Sequence, residues 1–213
     1  MKKFNWWTLL ALIPIFLGGF IAFSGDKFYE TEKAIFNAVR VLAPLFDIPS
    51  RLITELGSAV GVIALTAVIL IITAISKKYF FNFGLPVAVT SLVSRIVNIT
   101  AKNIIDRPRP DFKVLEASET SFPSGHAQNN MAFYIAILLV ALLIVKAPKW
   151  RIVLKISLIA LPVVIGITRI YFGVHYVSDV LAGWGIGLIV AAITNYVYFK
   201  IYYKVKEKKN ARA

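Results

Sequence analysis

The chain has 213 residues and no cysteine. This excludes disulfides, thiol nucleophiles and thiolate metal sites, and it does not identify a compartment. Charge is scarce: Asp, Glu, Lys and Arg make up 16% of the residues, against about 25% in an average soluble domain. Acidic residues are the rarer sign, 11 against 24 basic, for a net charge of +13. Histidine occurs only twice, as His126 and His175, which confines any imidazole chemistry to two places. The sequence has no internal repeat and no low-complexity tract.

Apolar residues fill the space that charge leaves, at 58% of the chain, with a mean hydropathy of +0.73. An ordinary soluble domain is about 45–50% apolar. The composition indicates a single polytopic membrane domain over residues 1–213. The positive charge does not mark a nucleic-acid partner. Lys2, Lys3, Lys77, Lys78, Lys146, Lys149, Arg151, Lys155 and a tail from Lys200 to Arg212 sit near the ends of apolar runs. Of the 11 acidic residues, only Glu207 shares those segments. Basic charge collected in short turns is a topology signal.

Six apolar runs predict six transmembrane helices in an all-α bundle: residues 6–23, 56–75, 80–100, 127–145, 152–167 and 177–199. The first exceeds the ~7–15 apolar residues of a signal peptide and is read as a retained span. Between the first two, Phe28, Ile35, Val39 and Leu42 recur at helical spacing behind Asp26, a candidate N-cap. That segment is either an amphipathic helix on the membrane face, ended by Pro44 and Pro49, or a connecting loop. Pro162 predicts a kink in the fifth span. Gly183, Gly185 and Gly187 predict close packing of the sixth. In the third span, Arg95, Asn98 and Lys102 share a face, with Arg95 turned into the bundle or snorkelling to the interface. An even number of spans puts both termini on one side. The positive-inside rule makes that side cytoplasmic, so the loops bearing Lys102 to His126 and Arg169 to His175 face away from the cytoplasm.

Those two loops hold the unusual polar residues. In Lys102-Asn-Ile-Ile-Asp-Arg-Pro-Arg109-Pro110, the prolines bias Arg107 and Arg109 to extended backbone and stiffen the strap. Arg109 as a bidentate fork and Lys102 as a point charge suit a phosphate. In Pro123-Ser124-Gly125-His126, Ser124 is a good N-cap, and the free N–H groups of a helix start bind anions. His126 stands at the rim, placed to give a proton to a leaving oxygen. The third stretch supplies Arg169, His175 and Asp179. Histidine and aspartate four apart on a helix share a face, so the carboxylate accepts from Nδ1–H and leaves Nε2 free for chemistry. The histidines, with Asp106, Asp111 and Asp179, would hold a divalent ion only against the repulsion of the arginines and the lysine. No metal is expected.

Taken together, Lys-x6-Arg-Pro, Pro-Ser-Gly-His and Arg-x5-His-x3-Asp resemble the three-part signature of the type 2 phosphatidic acid phosphatase superfamily. One departure is visible: Thr168 precedes Arg169 where the family usually has serine. The resemblance implies that His175 is a nucleophile forming a phosphohistidine and Asp179 its orienting partner. It implies that His126 is the acid for the leaving group and later the base for water. Lys102, Arg109 and Arg169 would clamp the phosphate, with Ser124 and Gly125 donating hydrogen bonds. The implied protein is a lipid phosphatase of a bacterial plasma membrane that needs no cofactor. It would act at the outer leaflet on phosphatidylglycerol phosphate, undecaprenyl pyrophosphate or phosphatidic acid. Two rivals are disfavoured. A lipid-binding descendant with a dead site would have lost a histidine or Arg169, and a cationic pore would spread these residues along the spans.

Overall fold

The computed structural model describes residues 12–210 except 42, 44, 118 and 119, and among these the chain is helical with no strand. The helices are α1 (Leu12–Phe23), α2 (Tyr29–Arg40), α3 (Asp47–Leu56), α4 (Ala59–Ala74), α5 (Lys77–Ile105), α6 (Gly125–Ile144), α7 (Pro148–Tyr171) and α8 (Val177–Asn210). Among the described residues, four helices, α5 to α8, are each long and apolar enough to cross a membrane. The expected second span differs: α3 and α4 pass the same test only together, and they bend by 53° between them. The break has a local cause. Ser58 adopts an extended conformation and its side chain accepts from Gly61 N–H at 3.1 Å, capping a new helix. Of the expected first span, α1 is the apolar part that is described; residues 6–11 lie outside the described residues.

Several helices outrun their apolar stretch. The third span continues through Lys102 to Ile105, and the basic tail continues α8 to Asn210. α7 runs through Pro162 as one helix. The segment after α1 is helical, not a loop. Its α2 starts behind Phe28 and not behind Asp26, which falls in a 3₁₀ turn, Gly25–Phe28. Pro49 does not end it but sits in the first turn of α3, where a missing N–H breaks no bond. Leu42 and Pro44 lie outside the described residues.

The central element is α6, with 67% of its span buried against 22% for α7. It packs against α4, α5, α7 and α8, and α1 covers α8 from outside. Close approach is required where α8 crosses α6: a Cβ on Gly183 would lie 2.8 Å from Ser124 O, and one on Gly187 2.8 Å from Met131 Cβ. Away from the site α6 meets α8 through apolar contacts, as where Met131, Ile135 and Leu138 of α6 meet Ala191 of α8. Toward the start of α6 they become polar. Gln128 donates to Ser94 O at 3.0 Å and accepts from Asn98 at 3.0 Å, and Asn130 donates to Gly57 O at 2.7 Å across the α3–α4 break. Amides in a span must find protein partners, because hydrocarbon offers none. This polar layer is the floor of the site. The end of α5, the start of α6, the end of α7 and the start of α8 meet above it.

Candidate active site

The strap begins where α5 stops. Asp106 takes a left-handed conformation (φ 45°) and its N–H closes on Lys102 O at 3.0 Å, which turns the chain out of the helix. Ser121 then holds the strap against the loop before α6: its N–H donates to Arg107 O at 2.8 Å and its hydroxyl to Pro108 O at 2.9 Å. The two strap arginines part company. Arg107 donates to Asp179 Oδ1 at 2.6 Å, Ser178 Oγ at 2.8 Å and Glu32 Oε2 at 3.3 Å, with its guanidinium 4.0 Å from the centre of the Tyr176 ring. Arg109 donates to Val174 O at 2.6 Å and lies 3.3 Å from His175 Nε2. Lys102 is buried and donates to Thr120 O.

Ser124 caps α6 as expected, accepting from Ala127 N–H at 3.5 Å, and its own N–H donates to Asp179 O at 3.0 Å. It is fully buried beneath the site, and Gly125 and His126 are the residues of this motif that line the open space. Arg169, in the last turn of α7, is buried and donates to Thr54 Oγ1 at 2.6 Å, which ties it to α3.

His175 and Asp179 do not share one helix. His175 lies in the turn after α7, a turn that uses Gly173 at φ 62°, and α8 begins only at Val177. Asp179 is instead the third residue of α8, and its Oδ2 accepts the Tyr176 N–H at 3.0 Å in the manner of a capping box. The same oxygen lies 3.4 Å from His175 Nδ1, within ion-pair range and beyond ordinary hydrogen-bond length. A guanidinium only donates, so the Arg109 contact assigns the lone pair to Nε2 and the proton to Nδ1, facing Asp179. Burial, then the charges of Arg109, Arg169 and Lys102, hold the His175 pKa well below its usual 6.5, so the ring is neutral at neutral pH.

Behind this pair stands a residue that sequence reasoning passed over. Glu32, on the amphipathic α2, is buried and accepts from Ser178 N–H at 2.9 Å, from Ser178 Oγ at 2.6 Å and from Arg107. Charges therefore alternate from Asp179 through Arg107 to Glu32. α2 also grips the strap through Phe36 stacked on Phe112 at 4.8 Å and Tyr29 hydrogen-bonded to Asp111 at 2.7 Å. Two of the aspartates considered as metal ligands are thus committed elsewhere, Asp111 to Tyr29 and Asp179 to Arg107.

In front of His175 lies a cavity of about 210 Å³ lined by Lys102, Arg109, Arg169, Gly125, His126 and His175, and also by Arg95, Asn98, Asn129, Gly57 and Ala59. The three motifs thus converge on one space with four cations, two imidazoles and no carboxylate in its lining. Arg95 faces this space, which decides between the two orientations the sequence allowed. Thr54, Gly57 and Ala59 carried no sequence signal, since only the fold brings the α3–α4 break to Arg169. A site of this kind accepts an anion in front of a neutral, buried imidazole backed by a carboxylate.

The chain is similar to known proteins in sequence and in fold. A model of the PAP2 superfamily matches residues 56–203. Phosphatidylglycerophosphatase B of Bacillus subtilis is 41% identical over 99 residues, a stretch covering 45% of this chain and about half (48%) of that relative's length. Undecaprenyl-diphosphatase of Sulfolobus acidocaldarius is 28% identical over 200 residues, covering 88% of each chain. The solved structure of a transmembrane PAP2-type phosphatidylglycerolphosphate phosphatase from Bacillus subtilis superposes with a TM-score of 0.80 at 28% identity, covering 92% of this chain and 98% of that one.

Proposed function

The chain belongs to the PAP2 superfamily, and from that premise we propose that it is a membrane phosphatase that removes the terminal phosphate of a lipid by way of a phosphohistidine. The observation that carries the reading is the cavity lined by Lys102, Arg109, Arg169 and His175, with Arg109 3.3 Å from Nε2 and Asp179 facing Nδ1. A lipid phosphate draws Arg109 forward and frees the Nε2 lone pair. Nε2 attacks phosphorus in line with the leaving oxygen, the P–O bond breaks, and positive charge develops on the ring beside Asp179. His126, at the open start of α6, gives its proton to the leaving oxygen. In the second half His126 takes a proton from water, the oxygen of that water attacks the phosphohistidine, and the P–N bond breaks to return His175 and release phosphate. Cations fixed in place before the reaction stabilise the charge on the transferring group without reorganisation.

The substrate is a lipid phosphate or diphosphate: phosphatidylglycerol phosphate or undecaprenyl diphosphate, which the relatives' names point to, or phosphatidic acid, with a single phosphate, which the motif resemblance implies. The site opens at the end of the bundle opposite Lys77, Lys78, Lys146, Lys149 and the basic tail. By the positive-inside rule this reading puts it at the non-cytoplasmic leaflet of a six-span protein. Phosphate release by the purified full chain from these three lipids and from p-nitrophenyl phosphate tests it. The lipids should be turned over with higher kcat/KM than the soluble ester, because each buried CH₂ of a tail adds about 0.8 kcal/mol of binding. A soluble ester hydrolysed as well as every lipid contradicts it.

A further inference from the structure

We propose that Arg95 and Asn129 form a second anion subsite, deeper in the cavity than the phosphate clamp, which takes a second phosphate of the lipid substrate. The inference rests on the lipid-phosphatase reading above and narrows it to a substrate class.

Arg95 lies inside α5, on the face that also carries Asn98 and Lys102, and all three line the cavity. Seven residues of helix put its Cα about 10 Å further down the bundle than that of Lys102. Its neighbours Leu92, Ile96 and Ile99 are 62%, 55% and 43% exposed and form the apolar outer face of α5. Arg95 stands at the edge of that face, between it and the Asn98–Lys102 side, where it lines the cavity and is only partly exposed. A charge at this depth is costly unless it meets an opposite charge or polar groups. Arg107 has two carboxylates and Arg40 has Asp47, whereas among the described residues no carboxylate pairs with Arg95. An anion arriving through the cavity supplies what the protein does not.

Asn129 adds a directed donor from the facing helix. Its Oδ1 accepts from Ser94 Oγ at 2.8 Å, so the amide nitrogen is the end left to donate into the cavity that Asn129 lines. The subsite thus has one cation from α5 and one amide from α6.

The order of charges along the bundle matches that along a lipid. In a lipid with two phosphates, the one hydrolysed is outermost, and the second lies between it and the tails. Held with its terminal phosphate among Lys102, Arg109 and Arg169, such a lipid carries its second phosphate down the cavity toward Arg95. The ligand class is a lipid with a second phosphate behind the first, linked by a glycerol or by a bridging oxygen. A lipid monophosphate offers Arg95 no anion.

The test is kcat/KM of the purified full chain on phosphatidylglycerol phosphate, undecaprenyl diphosphate and phosphatidic acid, for wild type, Arg95→Gln, Arg95→Lys and Asn129→Ala. For at least one of the two-phosphate lipids, the ratio of its kcat/KM to that on phosphatidic acid should fall at least about tenfold in Arg95→Gln. The fall should come through KM, be smaller in Asn129→Ala, and be partly restored in Arg95→Lys. Whichever lipid suffers the larger fall identifies the linker. Equal losses on all three lipids, or unchanged ratios, overturn the subsite and leave the phosphatase reading standing. A wild-type chain that hydrolyses none of the three overturns both.

Discussion

The two sides of His175 are built from opposite materials. Behind the ring, Asp179, Arg107 and Glu32 alternate in sign: Arg107 donates to the buried Asp179 at 2.6 Å and to the buried Glu32 at 3.3 Å. In front, Lys102, Arg109, Arg169 and Arg95 crowd a cavity with no carboxylate in its lining. The strap shows the division most plainly, since Arg107 and Arg109 stand two residues apart and serve opposite sides. The contrast teaches how one imidazole can be both neutral and reactive. The cations in front disfavour protonation of the resting ring. In the proposed reaction they also attract the phosphate, and the carboxylate behind stabilises the positive charge that would appear when Nε2 attacks.

Substitutions on the two sides should therefore fail differently. The largest loss short of removing His175 itself is expected for Asp179→Asn. It removes the charge behind the ring and alters what Nδ1 faces, and by analogy with other carboxylate–histidine pairs kcat should fall up to about 10⁴-fold. Single-turnover kinetics on a lipid phosphate checks this, and a loss of less than about tenfold would remove Asp179 from the mechanism.

The strap arginines sharpen the comparison. Arg109→Ala should lower kcat/KM by about 10²–10³-fold, as loss of one preorganised donor does, and should cost about 1–3 kcal/mol of stability because it orphans the buried carbonyl of Val174. Arg107→Ala strips the cation from two buried carboxylates and should cost about 3–5 kcal/mol of stability as well as activity. Arg109→Ala should also shift the pH profile. His175 is held low by burial and by Arg109, Arg169 and Lys102, so removing one cation raises its pKa. The neutral, nucleophilic ring is then lost at a higher pH on acidification, and the acid limb of kcat/KM moves upward relative to wild type. A downward or absent shift contradicts the electrostatic account, as would equal destabilisation by the two variants.

The smallest effect is expected at the far end of the chain of charges. Glu32→Gln keeps an acceptor for Ser178 but leaves Arg107 to draw more strongly on Asp179. It should lower kcat about tenfold with KM little changed, in keeping with a group that acts through two others. An unchanged kcat would reduce Glu32 to a packing role.

How much of this was legible in the sequence follows the range of each interaction. The three motifs, the apolar runs and the Ser124 cap are encoded in neighbouring residues and could be read directly. The His175–Asp179 pairing was anticipated, but for the wrong reason: the residues meet through a turn and a capping box, not along one helix face. Glu32 was visible only as one polar position of an amphipathic segment, because its partners lie 75 and 146 residues away. Thr54 reaches Arg169 across 115 residues and was silent for the same cause. The break at Gly57–Ser58 falls at the very start of the expected second span, where hydropathy registers the onset of the apolar run but neither the cap nor the helix before it. Arg95 could be put on the right helix face, and only the fold shows that this face borders the cavity.

The central claim is that His175 takes the phosphoryl group. The most direct measurement is turnover of phosphatidylglycerol phosphate, radiolabelled in its terminal phosphate and quenched in alkaline detergent, by the wild type and by His175→Ala. The account predicts an acid-labile, base-stable label on the wild-type chain. It predicts no label on His175→Ala, together with a fall in turnover of at least about 10⁴-fold. Turnover of His175→Ala near the wild-type rate, or a label that persists on that variant, would contradict it.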